Sequence, residues 1–319
     1  MKNFIINKDL CIKCGLCAKD CPTSALTMDE FPVINEDVCF GCGHCLAVCP
    51  TGALSILGKC PADSTPLEEN LPSEEQMETL IKGRRSIRHY CDENVDSETI
   101  QKLLDIASHA PTGVNVQSVQ FTVIDNKETM DAFRDELYVK FADVLPDEIP
   151  EGNHILEYLT LAVNQHKENG SDILLRNAPH LVISSSPKNT PCAEADTHIA
   201  LSYFELMAQS MGLGTLWDGL LKAALLSLPD LLVRLGVPED HELGYVMLFG
   251  KPAVKYKRTI ERDSANVKIV NYGSSAESVG TLWSSPVLRL SALLGKETGF
   301  QLHNPVRARS ERPSIKLRV

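Results

Sequence analysis

The chain has 319 residues, 43% hydrophobic and 23% charged, with a formal net charge of −11. This balance describes a folded chain with room for a sizeable core, and its acidic sign argues against nucleic acid as a partner. No apolar run approaches the ~18 residues of a membrane helix and no export signal precedes the first cysteine, so a reducing, cytoplasmic setting is expected.

Eight of the eleven cysteines form two runs, Cys11, Cys14, Cys17, Cys21 before Pro22 and Cys39, Cys42, Cys45, Cys49 before Pro50. Both follow C-x2-C-x2-C-x3-C-P, and each cysteine of the second run stands 28 places after its counterpart. This is the ligand run of bacterial two-cluster ferredoxins, in which the fourth cysteine serves the other cluster. The expected ligand sets are therefore Cys11, Cys14, Cys17 and Cys49 for one 4Fe-4S cluster, and Cys39, Cys42, Cys45 and Cys21 for a second. Zinc sites pair two C-x2-C hooks and have no use for the extra cysteines, and disulfides belong to secreted chains. His44, inside the second run, is expected to face solvent. The isolated Cys60, Cys91 and Cys192 are expected to be ordinary buried thiols.

Residues 1–59 are thus expected to form a ferredoxin module and 60–75 a linker rich in proline and polar residues. Ser73 and Gln76 have capping-box spacing and open a short helix toward Lys82. A second helix starts near Asp96, with Ile100, Leu103, Leu104, Ala107 and Ala110 at helical spacing before Pro111. Strands are expected at 119–124, 181–185 and 245–249, and helices near 127–142, 154–168 and 194–211. The last is apolar on more than one face and should be buried in a core or a subunit interface. Residues 273–319, basic and without clear periodicity, are expected to be a poorly ordered tail.

Three segments in the larger part carry chemistry. Arg84-Arg85-Ser86-Ile87-Arg88 concentrates guanidinium groups that match phosphate oxygens. Ala110-Pro-Thr-Gly-Val-Asn-Val-Gln117 is a helix end followed by small and amide residues. Gly212-Leu-Gly-Thr-Leu-Trp-Asp-Gly219 would allow backbone to approach a ligand closely, but lacks the spacing of a dinucleotide fingerprint. In this order and separation, across residues 76–272, the segments resemble the nitroreductase family of FMN flavoproteins. With the cysteine module included, the whole looks like a ferredoxin–nitroreductase fusion.

The resemblance implies an α+β sandwich with a central, mostly antiparallel sheet, working as a homodimer with FMN at the interface. Arg84, Arg85, Ser86 and Arg88 would hold the flavin phosphate, ribityl chain and N1/O2 side. Pro111, Thr112, Gly113, Asn115 and Gln117 would come from the second subunit. Trp217, Asp218 and Gly219 would lie along the flavin, the last two offering backbone amides near N5 and O4. Arg258, or failing it Lys255, would add a phosphate contact. No side chain need act as a covalent catalyst; the chemistry would be the flavin's. The implied function is reduction of a small organic acceptor, such as a nitroaromatic or quinone, with a ferredoxin or NAD(P)H as donor. The alternative is an electron-transfer subunit serving a partner protein. The acidic positions Asp143, Asp147, Glu148 and Glu151, in the segment that varies within the family, weigh against a strongly anionic substrate.

Overall fold

The computed structural model describes residues 2–146, 149 and 152–270. The tail at 273–319 and the acidic positions Asp147, Glu148 and Glu151 lie outside the described residues.

The cysteine-rich module is built from β1 (Ile5–Ile6), α1 (Leu16–Lys19), β2 (Leu26–Met28), β3 (Pro32–Ile34), α2 (His44–Ala47) and β4 (Leu54–Ser55). Strand β1 pairs antiparallel with β4, and β2 with β3. The 28-residue repeat holds in this register: Leu26 opposes Ile34, and Leu54 opposes Ile6. Both short helices are entered from a glycine in the left-handed region, Gly15 at φ 72° and Gly43 at φ 75°, a turn glycine makes without steric cost. Leu26, Leu54 and Ile56 form the small core, together with Cys17 and Cys45.

The larger part begins with α3 (Glu74–Gly83), where Ser73 and Gln76 complete a reciprocal capping box at 3.2 and 3.0 Å. It is followed by α4 (Ser97–Ala107), β5 (Gln120–Ile124), α5 (Lys127–Val144), α6 (His154–Asn169), β6 (His180–Pro187) and α7 (Ala193–Ser210). The chain then forms β7 (Gly214–Trp217), α8 (Gly219–Leu226), α9 (Pro229–Arg234) and β8 (His241–Gly250). The four strands β5-β6-β8-β7 form one antiparallel sheet, and a parallel bridge between Ser86 and Thr215 extends it at β7.

Period-two alternation splits this sheet between two cores. Leu181, Ile183, Val246 and Leu248 face one side, against Met130, Phe133 and Leu137 of α5 and the apolar faces of α6 and α8. Val182, Met247 and Phe249 face the other, against Leu103 of α4 and Leu201 and Phe204 of α7. The product is the expected sandwich, helices on both faces of an antiparallel sheet. His180 is structural: buried, stacked 5.1 Å from Phe249, with Nε2 accepting the Val95 N–H at 2.8 Å. Burial lowers its pKa, which favours the neutral ring.

One sequence expectation needs correction. Cys192 is exposed and Cys60 and Cys91 are half-buried, because they sit at element ends and in loops rather than under the sheet. The described residues up to Asp263 form one compact unit, and the described stretch 264–270 beyond it contains no helix or strand. Among the described residues, no helix is long and apolar enough to cross a membrane.

Candidate functional site

The cysteines gather in crossed quartets. Cys11, Cys14, Cys17 and Cys49 line one cavity, and Cys21, Cys39, Cys42 and Cys45 line another. Crossing follows from the local fold: in each run three cysteines wrap a loop and the start of a one-turn helix, and the fourth lies past that helix, toward the other half. Among the described residues, no three His, Cys, Asp or Glu side chains converge on one metal ion.

Hydrogen bonds prepare these sulfurs. Cys49 Sγ accepts from the Ala53 N–H at 3.3 Å, and Cys39 Sγ accepts from the Gly41 N–H at 3.4 Å. Thr23 and Thr51 hydroxyls lie 3.7 Å from Cys21 and Cys49 Sγ. Burial works against ionisation of Cys21 and Cys49, but bonds from backbone N–H groups and these threonines outweigh it, and both thiols fall below the ordinary cysteine range. Burial dominates at Cys17, which is raised, and at Cys45, which is pushed up to about 11. His44 is exposed.

The basic run lies beside β7. The Ile87 N–H donates to Thr215 O at 2.9 Å, and a Cβ on Gly214 would sit 2.4 Å from Ile87 Cγ1. Glycine is therefore required where the two segments pass. Arg84 Nη1 donates to Glu205 Oε1 at 3.2 Å, and the Thr215 hydroxyl donates to the same oxygen at 3.0 Å. Glu205, on α7 and 121 residues from Arg84, was not singled out from sequence. Arg84, Arg85, Ser86 and Arg88 line a cavity of about 280 Å³ together with Tyr256, Ile260 and Arg262. Arg85 Nη2 is buried without a hydrogen-bond partner. Lys255 and Arg258 line the adjoining groove of about 1060 Å³, whose wall also includes Arg85; Arg262, absent from the sequence expectation, is the basic residue from this stretch in the smaller cavity.

Strand β7 delivers Trp217, Asp218 and Gly219 to its end. Trp217 is half-buried, stacked parallel to His198 at 6.2 Å and edge-on to Tyr245 at 5.1 Å. The Asp218 N–H is bonded to Val246 O at 3.0 Å, and its carboxylate caps α8 by accepting the Leu221 N–H at 2.9 Å. This corrects the expectation that both amides of the pair face a ligand: the Asp218 amide closes the sheet, and exposed Gly219 remains. Burial pushes the Asp218 carboxyl up to about 6, with the Leu221 N–H pulling the other way.

The third segment is a constrained loop. Val114, Asn115 and Gln117 have φ of 47°, 58° and 53°; for a β-branched valine this is a true outlier. Buried Asp196 on α7 accepts the Gly113 N–H at 3.0 Å, and the Thr112 hydroxyl accepts the Gln117 N–H at 2.9 Å. Pro111 is exposed, and Asn115 Nδ2 donates to Phe40 O in the cysteine module at 3.0 Å. Asp196 starts the α7 turn that carries His198, so this loop and Trp217 share one support.

The model of the Nitroreductase family matches residues 81–251, more than half the chain. The chain belongs to the nitroreductase family. Ahead of the nitroreductase domain, residues 10–53 match the 4Fe-4S dicluster domain. A putative NADH dehydrogenase/NAD(P)H nitroreductase of Methanothermobacter thermautotrophicus is 29% identical over 143 residues, covering 44% of this chain and 58% of the relative. A 4-nitrobenzoate reductase of a Nocardioides species is 40% identical over 47 residues, 15% of this chain and 19% of that protein. The chain thus spans less than two thirds of either curated relative. Among solved structures, an FMN-bound nitroreductase from Bacteroides fragilis aligns with 22% identity and a TM-score of 0.49, covering 62% of this chain and 100% of its own.

Proposed function

We propose that this protein is an FMN-dependent oxidoreductase in which two 4Fe-4S clusters feed electrons to the flavin, and the flavin reduces a small organic acceptor such as a nitroaromatic or quinone. The observation that carries this reading is the cavity lined by Arg84, Arg85, Arg88 and Arg262. Several guanidinium groups around one cavity repel one another unless an anion sits among them, and phosphate oxygens match their fork geometry. That requirement fits FMN at the basic run, as family membership leads one to expect.

In this reading Arg84, Arg85, Ser86 and Arg88 hold the phosphate, the ribityl chain and the N1/O2 side of the ring, with Arg262, Arg258 or Lys255 completing the charge at the phosphate. Trp217 and Gly219 border the ring. Pro111, Thr112, Gly113 and Gln117 come from a second copy of the chain in a homodimer. The flavin supplies conversion between the one-electron chemistry of clusters and two-electron reduction of organic molecules. The arginines add fixed positive charge where reduction places negative charge. The cysteine quartets hold the clusters as assigned from the sequence.

The test is anaerobic and uses the reconstituted full-length protein, with reduced ferredoxin and NADH as alternative donors and a nitroaromatic and a quinone as acceptors. Turnover is expected, and Arg84→Ala should weaken FMN binding by about 1.5–3 kcal/mol, the worth of a charge-assisted bond. Flavin that reduces but turns over no acceptor would instead assign the protein to electron transfer for a partner protein. Unchanged FMN affinity in Arg84→Ala would remove the phosphate from this cavity.

A further inference from the structure

Phe40 and Gly41 contribute the two halves of one peptide unit in the loop between Cys39 and Cys42. Its N–H, from Gly41, donates to Cys39 Sγ at 3.4 Å, and its carbonyl, from Phe40, accepts from Asn115 Nδ2 at 3.0 Å. A continuous chain of hydrogen bonds therefore runs from the nitroreductase domain through a single peptide to a sulfur of the second quartet. A peptide that accepts at oxygen while donating at nitrogen is polarised so that each bond strengthens the other. Hydrogen bonds to cluster sulfurs are one of the protein's levers on reduction potential, because a donor stabilises the charge the cluster gains on reduction.

Asn115 is held for this contact. Its backbone is in the left-handed region at φ 58°, which asparagine tolerates better than most residues, and its N–H donates to Thr112 O at 3.0 Å. Gly113 is pinned to Asp196, two residues before His198, the ring stacked on Trp217. The other quartet is placed differently. The 28-residue repeat makes Ile12 the counterpart of Phe40 and Cys14 that of Cys42; Ile12 is 64% exposed against 44% for Phe40, and Cys14 is exposed while Cys42 is half-buried.

We propose that Asn115 is a positioning residue that couples the 111–117 loop to the cluster held by Cys39, Cys42, Cys45 and Cys21, and that this cluster stands next to the flavin site in the electron path. The cluster held by Cys11, Cys14, Cys17 and Cys49 is then the outer one, facing the donor. The inference rests on the reading above, that the quartets hold clusters and the basic cavity holds FMN.

The test is an anaerobic redox titration of the full-length, cofactor-loaded protein, followed by electron paramagnetic resonance. Cys14→Ser and Cys42→Ser, each perturbing one cluster, assign the two signals. Asn115→Gly keeps the left-handed backbone and deletes the donor. It is expected to lower the midpoint potential of the Cys42-assigned signal and to leave the Cys14-assigned signal in place. A shift of the Cys14-assigned signal, an equal shift of both, or no shift would overturn the coupling. If Asn115→Gly fails to load clusters, Asn115→Ala, neutral and without the amide donor, gives the same readout. In the second arm, stripping FMN from the unmodified protein should move the Cys42-assigned signal alone; movement of the other signal, or of neither, would overturn the order of the path. Failure of the protein to take up FMN at all, read from flavin absorbance, would sink the functional reading itself and is thereby told apart from failure of the Asn115 coupling.

Discussion

Asp218 carries a buried carboxyl whose proton is held up to about 6, chiefly by desolvation. In the unfolded chain such a group ionises near 3.9, so between about pH 4 and 6 the unfolded chain binds fewer protons than the native one. Native stability therefore falls as pH rises through that window and levels off above it. Asp218→Asn keeps an acceptor for the Leu221 N–H, since asparagine caps helices as well as aspartate does, and abolishes the titration. Thermal melts of both proteins across this range should show the variant gaining on the parent with rising pH, by roughly 3 kcal/mol at neutrality; a pH-independent difference would contradict the account. The charge of the basic run was legible in the sequence. Its partner Glu205 was not, because a contact across 121 residues leaves no local trace. Arg262 was missed for a related reason: Lys255, Lys257, Arg258 and Arg262 follow β8 without a helix or strand to fix which of them points where.

Among the elements, those with strong local signals were readable. The Ser73/Gln76 capping box, the Asp96 cap and the apolar runs of β6 and β8 announce themselves through hydrogen-bonding chemistry and periodicity. Strand β7 did not, because Gly-Thr-Leu-Trp is too short to alternate and earns its place by lying between β8 and the basic run. Helix α8 is apolar almost throughout, so no amphipathic period marked it. The junction of β7 with residues 84–88 makes a prediction of its own. Gly214→Ala would place a methyl 2.4 Å from Ile87 Cγ1, and should destabilise the domain by about 1–3 kcal/mol, as overpacking does. Combining it with Ile87→Ala, which vacates that space, should cost less than the sum of the two single changes in denaturant melts; additive costs would mean the clash is relieved elsewhere.

For the molecule as a whole, the two cysteine runs were the clearest text in the sequence, because cluster ligation fixes both residue type and spacing. The crossed placement of Cys21 and Cys49, each lining the cavity of the other run's first three cysteines, was legible for the same reason. The junction between the modules was not: it depends on three left-handed residues in the 111–117 loop and on one amide reaching Phe40, which no composition or period encodes. The central claim is that the clusters are the route by which electrons reach the flavin. Its most direct test is stopped-flow reduction of the full-length protein by reduced ferredoxin, anaerobically, with flavin absorbance followed in the parent and in the Cys14→Ala/Cys42→Ala double variant. The account predicts that flavin bleaching is fast in the parent and lost in the double variant, although FMN remains bound. Bleaching at an unchanged rate without intact clusters would contradict it.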